Sequence, residues 1–417
     1  MNRVGGSLQI AGLSISDLAE QYGTPLYIYD GASIRQRFDA LAHGIPYRPL
    51  RLFYSIKANP AVGIVRFIAG LGAGVDACSP GDLAVAAAAG VPEASISYVG
   101  HAMSDAELEA VGRTDASFTA DSIDQIVRFG GRFPGRGIGI RANMGIEAGF
   151  HPVVRTGSLE GKFGLHPDQF DQALKQAIQA QIRIVGLHAH LGSDILDGTP
   201  HAELVRRLIQ YAPAFPDLEW INIGGGWGTP FTDSDDEYPI AQLGKAIAAA
   251  LDGASQRLEV RLEPGAYLVM DAGVLVSRVV ETKMPFETTS GMTPAFACTD
   301  SSYNHVISAV IYDTHRNLHV DGDRTHVEPR PWTITGNLMQ AGDILARDRM
   351  LPISGAGDLL VMENCGAYAS SRSPVFNERP RLPEILVDDG QATLIRRAET
   401  IHDLLTRDRG QVRLRRR

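Results

Sequence analysis

"RIVGLHAHLG" (183–192), "HAELVRRLIQYAPAF" (201–215) and "LEWINIGGG" (218–226) follow one another as an apolar strand-sized run, a helix-sized segment and a second apolar run. That order describes a strand, a crossover helix and a parallel neighbouring strand. Working outward, similar runs occur at "LYIYD" (26–30), "RLFYSIK" (51–57), "GAGVDACS" (72–79), "SISYVG" (95–100), "GIGIRAN" (137–143) and "LEVRLEPG" (258–265), many separated by segments such as "PGDLAVAAAAG" (80–90). Some eight strands alternating with helices over residues 26–269 predict a (β/α)8 barrel, although an open doubly wound sheet also satisfies the alternation. After Val269 the texture changes. "AGVLVSRVVETK" (272–283), "FACTD" (296–300), "WTITG" (332–336), "DLLVMEN" (358–364) and "PEILVDDG" (383–390) are strand-like and divided by turn residues, which predicts a β-rich domain over 270–417 that also takes residues 1–25. The fold class is therefore an α/β barrel plus an all-β domain.

The bulk properties suit that division. A chain of 417 residues fits one barrel of roughly 200 to 250 residues with a smaller partner. Apolar content of 44%, charged content of 21% and a mean hydropathy of -0.06 describe a globular protein, and no apolar run reaches the ~18 residues of a membrane span. A formal charge of -9 argues against nucleic acid as a partner, and the basic stretch "RDRGQVRLRRR" (407–417) reads as a solvated end. The start, "MNRVGGSLQIAGLS", has no basic region followed by an apolar core, and three cysteines (Cys78, Cys298, Cys365) are too few for a disulfide framework, so the cytoplasm is the expected compartment. No metal site is assigned.

Chemistry-bearing residues fall at the ends of the predicted strands, where barrel enzymes build their sites. Lys57 ends "FYSIKANP", a setting in which desolvation depresses the amine pKa and favours a Schiff base with a carbonyl cofactor; by itself a strand-end lysine is more often a solvated charge. "INIGGGWGTP" contains Gly224, Gly225, Gly226 and Gly228, whose backbone amides can approach a phosphate, although a lone glycine run usually marks only a loop. Glu263, in "LEPG", can pair with a protonated pyridine nitrogen or serve as a structural ion pair. In "LHAHLGSDI", His190 can stack on an aromatic cofactor while Ser193 binds its phosphate, against the commoner role of a satisfied core histidine.

Taken in order, "YSIKANP", "HAHLGS", "GGGWG", "EPG", "GDILA", "GAY" and "NERPRLPEILV" resemble the fold type III pyridoxal-phosphate-dependent decarboxylases, the alanine racemase-like group, and among them diaminopimelate decarboxylase most. The resemblance runs over nearly the whole chain. It implies that Lys57 holds pyridoxal 5'-phosphate (PLP), that His190 stacks on the cofactor ring, that Glu263 keeps the pyridine nitrogen protonated, and that Asp76 lies near the cofactor. It also implies that Ser193, Gly225, Gly226 and Tyr368 surround the phosphate, and that the protein is a homodimer with shared active sites.

The resemblance breaks on the substrate side. The family's "GPxCES" carries a cysteine that protonates the carbanion and a glutamate that contacts substrate, and those positions are Met339 and Gln340 in "TGNLMQAGD" (335–343). The arginine of "EPGR" is Ala266, that of "RPALY" aligns with Ser308 ahead of a retained Tyr312, and the tyrosine of "SxYN" is Phe376. Tyr312, Met339 and Gln340 are the expected substrate-binding positions. Cys365, in "ENCGAY", reads as a small buried hydrophobe rather than an acid. Retained cofactor residues with altered substrate residues predict a PLP-dependent decarboxylase of another amino acid or amino-acid conjugate in a specialised biosynthetic pathway. The alternatives are a racemase or other Cα chemistry, and a non-catalytic PLP-binding homologue.

Overall fold

Eight short parallel strands close into a barrel, each hydrogen-bonded to the next: Leu50–Ser55, Gly74–Ala77, Ile96–Val99, Ser117–Ala120, Gly137–Arg141, Arg183–His188, Trp220–Asn222 and Glu259–Leu262, the last returning to the first. The computed structural model describes residues 1–151, 155–232, 234–252, 257–312 and 314–406; the basic stretch 407–417 lies outside them. The closed ring decides against an open sheet.

One strand assignment is corrected. "LYIYD" does not enter the barrel, and the missing member is Ser117–Ala120, "SFTA". Leu26–Asp30 lies instead between Gly273–Lys283, antiparallel, and Glu384–Asp388, parallel. Leu26 through Tyr29 are fully covered there, so the segment shows the unbroken apolar run expected of a barrel strand. "SFTA" escapes notice because it is four residues long and half polar, too short for any periodicity to register.

Local chemistry sets the element boundaries near the strand ends. The helix Pro80–Ala89 starts where the Ser79 hydroxyl accepts from the Asp82 N–H and stops at Gly90, whose φ of 81° a side chain would strain. Inside the barrel, Trp220 fills the space that glycines leave. A Cβ on Gly139 or Gly186 would stand 2.4 or 2.1 Å from its ring, so two neighbouring strands give up side chains to admit one large one.

The chain divides into two compact units, Ser33–Met270 and Met1–Ala32 with Asp271–Arg417. In the second, a nine-stranded sheet is organised on Gly273–Lys283, which pairs with Leu26–Asp30, Phe296–Thr299 and Leu359–Met362. One face of that sheet buries Ile28, Val274, Val276, Val361, Ile385 and Val387 beneath Leu8, Ile10, Ile15 and Leu18 of the N-terminal segment. Among the described residues no helix is long and apolar enough to cross a membrane. Ile28 lies wholly inside this cluster, so Ile28→Ala is expected to lower stability by about 2 to 5 kcal/mol, read from urea unfolding; a loss below about 0.5 kcal/mol would remove the cluster from its central role.

Candidate active site

The C-terminal ends of the barrel strands gather the polar residues. Lys57 stands in a single 3-10 turn, Ile56–Ala58, directly after the first strand, and its Nζ lies 3.2 Å from Oδ2 of Asp76 on the second. The Ser55 hydroxyl donates to the same oxygen at 2.7 Å. Asp76 is buried, which pushes its pKa up; the nearby Glu263 charge adds to the rise, while the Lys57 charge and the Ser55 hydroxyl oppose it.

Glu263, just past the eighth strand, is held by side chains from three other strands. Its Oε1 accepts from the Ser97 hydroxyl at 3.0 Å and from Asn222 Nδ2 at 2.7 Å, and its Oε2 is 2.9 Å from His188 Nε2. Burial alone would raise its pKa. The adjacent His188, the His188 hydrogen bond, Lys57 and Asn222 outweigh burial and hold the carboxyl well below the usual carboxylate range, so Glu263 is an anion at neutral pH.

His190 follows the sixth strand. Its pKa is driven well down by burial first and then by the charges of Lys57 and Arg141, so the imidazole is neutral. Its Nδ1 accepts the Gly225 N–H at 3.2 Å, which puts the ring proton on Nε2. The glycine run after the seventh strand packs closely against this histidine and the eighth strand end. A Cβ on Gly224 would meet the Ala189 carbonyl and His190 Nδ1 at 2.7 Å, one on Gly225 the Glu263 carbonyl at 2.1 Å, and one on Gly226 the Gly192 carbonyl at 2.2 Å. Gly224 and Gly226 also have φ of 68° and 100°. His201 supports the run from beneath: its Nε2 donates to the Gly225 carbonyl at 3.1 Å, and its Nδ1 accepts the Tyr238 hydroxyl at 3.0 Å. Ser193 lies half-buried in the loop after the sixth strand, three residues beyond His190.

Of the expected site residues, Lys57, Asp76, His190, Ser193, Gly225, Gly226 and Glu263 therefore belong to the barrel unit, and Tyr312, Met339, Gln340 and Tyr368 to the other. Within that second unit Tyr312 and Tyr368 are brought together by Arg372. Arg372 donates Nη1 to the Tyr312 hydroxyl at 2.9 Å and lies over both rings, 5.7 Å from the Tyr312 centroid and 5.2 Å from that of Tyr368, whose backbone has a φ of 54°. Met339 is 94% exposed. Its loop is nevertheless fixed, since buried Asp343 accepts the N–H groups of Tyr303 and Leu338, and Gln340 accepts the Tyr303 hydroxyl at 2.8 Å. Ser308 accepts from the buried Arg316 at 3.2 Å. Cys365 is fully buried, and burial pushes its thiol up to about 11.

Sequence reading missed Ser55, Ser97, Asn222, Arg141 and Arg372. The first four lie in barrel strands, at or close to their C-terminal ends, and that position was the usable signal. Arg372 ends a short 3-10 turn, Ser370–Arg372, outside any of the matching motifs.

Residues 31–270 match the family model described as the pyridoxal binding domain of the pyridoxal-dependent decarboxylases, and the chain belongs to this family of PLP-dependent carboxy-lyases acting on amino acids. It is 34% identical to the diaminopimelate decarboxylase of Methanothermobacter thermautotrophicus over 97% of this chain and 96% of that one. Its structure resembles diaminopimelate decarboxylase from Helicobacter pylori complexed with L-lysine, with a TM-score of 0.87 at 26% identity over 94% of this chain and 98% of that one. The enzyme from M. jannaschii, also with L-lysine, gives 0.87 at 27% identity over 97% and 96%.

PLP is the cofactor of the family, and the barrel residues fit it. A three-glycine run that any Cβ would fill, an ionised buried carboxylate and a lysine amine beside a second carboxylate meet the needs of its phosphate, ring nitrogen and aldehyde respectively.

The support under the glycine run carries a pH dependence. Burial lowers the His201 pKa to about 4, so between pH 6.5 and 4 the unfolded chain binds a proton that the folded chain refuses. Stability is fully present above about 6.5 and falls as the pH drops to 4, by up to about 3 kcal/mol from this group. In urea titrations at pH 7.5 and 4.5, His201→Gln should show a smaller loss than the parent protein; an equal loss would detach His201 from the effect.

Proposed function

We propose that this enzyme decarboxylates an amino acid or amino-acid conjugate other than diaminopimelate, in a specialised biosynthetic pathway, and works as a homodimer with shared active sites. One contrast carries the reading: the cofactor-side network around Lys57, Glu263 and His190 is complete, while Ala266, Ser308, Met339 and Gln340 stand where the resemblance calls for two arginines, a cysteine and a glutamate. Each lost charge-assisted contact is worth roughly 1.5 to 3 kcal/mol, enough together to discriminate strongly against a substrate that relies on them. An apolar side chain displayed almost bare on a fixed loop, as Met339 is, supports a second copy of the chain as its neighbour.

Bound PLP supplies an electron sink for the pair of electrons left when the substrate carboxylate departs as carbon dioxide. The remaining tasks belong to the chain. Lys57 would tether the cofactor, with Asp76 keeping the amine in place. Glu263 stays ionised and would favour a proton on the pyridine nitrogen of the bound cofactor. Neutral His190, fixed by the Gly225 amide, would stack on the cofactor ring. On this reading Ser193, Gly225, Gly226 and Tyr368 would take the phosphate, and Tyr312, Met339 and Gln340 would border the substrate. The proton that replaces the carboxylate cannot come from Met339, because a thioether has none. Lys57, paired with Asp76, and water are the donors left for that step.

Two measurements test this reading. The purified protein should carry the visible absorbance of lysine-bound cofactor, and Lys57→Ala should abolish it; a band that survives the substitution refutes the assignment of Lys57. In a carbon dioxide release assay over a panel of amino acids and their conjugates, turnover of meso-diaminopimelate should be negligible beside the true substrate. A value near the enzyme median of about 10 per second for diaminopimelate would sink the proposed specificity.

A further inference from the structure

In the β-rich unit Arg381 meets Glu399 at 2.7 Å, Arg397 meets Asp403 at 2.6 Å, and Arg396 is paired with buried Glu384. Arg372, exposed and in the same part of the chain, pairs with no carboxylate among the described residues. The one hydrogen bond of its side chain there runs from Nη1 to the Tyr312 hydroxyl at 2.9 Å. Its guanidinium carbon lies 5.7 Å from the centroid of the Tyr312 ring and 5.2 Å from that of Tyr368. Two aromatic rings and a phenol therefore restrain a planar fork of donors, most of which stay uncommitted. An arginine that serves only as a solvated charge needs no such holders.

The backbone beneath this fork is fixed on both sides. Arg372 closes the turn Ser370–Arg372, and the Ser370 hydroxyl donates to Oε1 of Glu384 at 2.6 Å. Glu384 is fully buried at the start of the strand Glu384–Asp388, where it also accepts the Tyr29 hydroxyl at 2.6 Å. Just past the turn, Arg381 Nε donates to the Ser373 carbonyl at 3.1 Å. Tyr368, ahead of the turn, has a φ of 54°, a left-handed conformation that strains a residue bearing a Cβ and persists only where its surroundings impose it. The ring on one side of the guanidinium is thus set by a strained residue, and the guanidinium itself by a turn tied to the sheet.

We infer that Arg372 is a specificity residue that recognises an acidic group of the substrate, a carboxylate other than the one that leaves. The inference rests on the PLP-decarboxylase reading, in which Tyr312 borders the substrate and Tyr368 the cofactor phosphate. A cation gripping the departing carboxylate would stabilise the bound substrate more than the transition state, where that charge disperses into carbon dioxide, and would slow the reaction. A second, retained carboxylate gives the fork a bidentate partner without that cost. Ala266 and Ser308, in the helices Ala266–Val269 and Ile307–Tyr312, stand where the resemblance calls for arginines, and Arg372 brings a cation from a turn that contains neither position. The substrate class that follows is an acidic amino acid, or a conjugate with a free carboxylate.

The test uses the full chain as the PLP holoenzyme, with Arg372→Met, Arg372→Lys, Tyr312→Phe and the double variant of Tyr312→Phe with Arg372→Met. One arm follows the visible absorbance while L-aspartate, L-glutamate or L-2-aminoadipate is added, each beside a counterpart without the second carboxylate, L-asparagine, L-glutamine and L-lysine in turn. The parent protein should bind at least one acid about tenfold more tightly than its counterpart, Arg372→Met should erase that preference, and Arg372→Lys should keep only part of it, as a point charge in place of a fork. Tyr312→Phe should reduce the preference several-fold and add nothing further in the Arg372→Met background. No preference for the acid in any pair, or a preference that survives Arg372→Met, overturns the inference, and additive effects overturn the part given to the Tyr312 hydroxyl. The second arm titrates PLP into the cofactor-free chain. Its affinity should be the same in Arg372→Met as in the parent, and a tenfold fall would move the guanidinium to the cofactor phosphate and overturn the substrate assignment. Arg372 is exposed, so its variants are expected to fold; if Arg372→Met does not, the partial loss in Arg372→Lys carries the test, and an undiminished preference there overturns the inference. Both arms read binding and need no turnover, so a failure to find any decarboxylated substrate would strike the functional reading without touching this one.

Discussion

A carboxylate buried in the mouth of a barrel is tolerable only if its neighbours replace the water it has lost, and Glu263 is the group on which the rest of this site depends. Leaving such a charge unpaired costs several kcal/mol. Its replacement shell comes from the third, sixth and seventh strands through Ser97, His188 and Asn222, while Glu263 itself follows the eighth. The eighth strand end also touches the glycine run, since the Glu263 N–H donates to the Gly224 carbonyl at 2.7 Å and the Glu263 carbonyl sits where a Cβ of Gly225 would be. One buried anion thereby fixes the spacing between the eighth strand end and the glycine run. Barrel closure is what brings these four strand ends together.

The two carboxylates of the mouth are pushed apart in character by their surroundings. Glu263, with three hydrogen-bond donors, is held ionised, whereas Asp76, buried with Glu263 for a neighbour, is pushed up and leans on Lys57 and Ser55. The same logic keeps His190 neutral, because burial and the cations beside it oppose a third positive charge. Each titratable group thus has a protonation state set by which strand end lies next to it.

Much of this was legible from residue order alone. The strand and helix alternation pointed to a barrel, the change of texture after Val269 to a β-rich unit, and the ordered motifs to the family. Two strands were misread because local sequence does not record which sheet a strand joins. "LYIYD" is apolar on both faces and "SFTA" is short, so the interior of a mixed sheet imitated a barrel strand while a true barrel strand went unassigned. In the site, Lys57, Glu263 and the glycine run stood out because their residue types are unusual at strand ends. Ser97 and Asn222 are ordinary polar residues whose importance appears only when the carboxylate they serve is next to them.

What the amino-acid sequence by itself determined is the inventory: which strand ends carry a lysine, a carboxylate, a histidine or three glycines, and which positions depart from the motifs that the chain otherwise resembles. That information is local, since residue type and period are properties of a few neighbouring positions. What only the tertiary structure decided is partnership. His188, rather than the adjacent His190, is bonded to Glu263, while His190 is bonded to the Gly225 amide instead. Distances between side chains on different strands depend on closure and register, and burial, which turns those distances into charge states, exists only once the chain has folded.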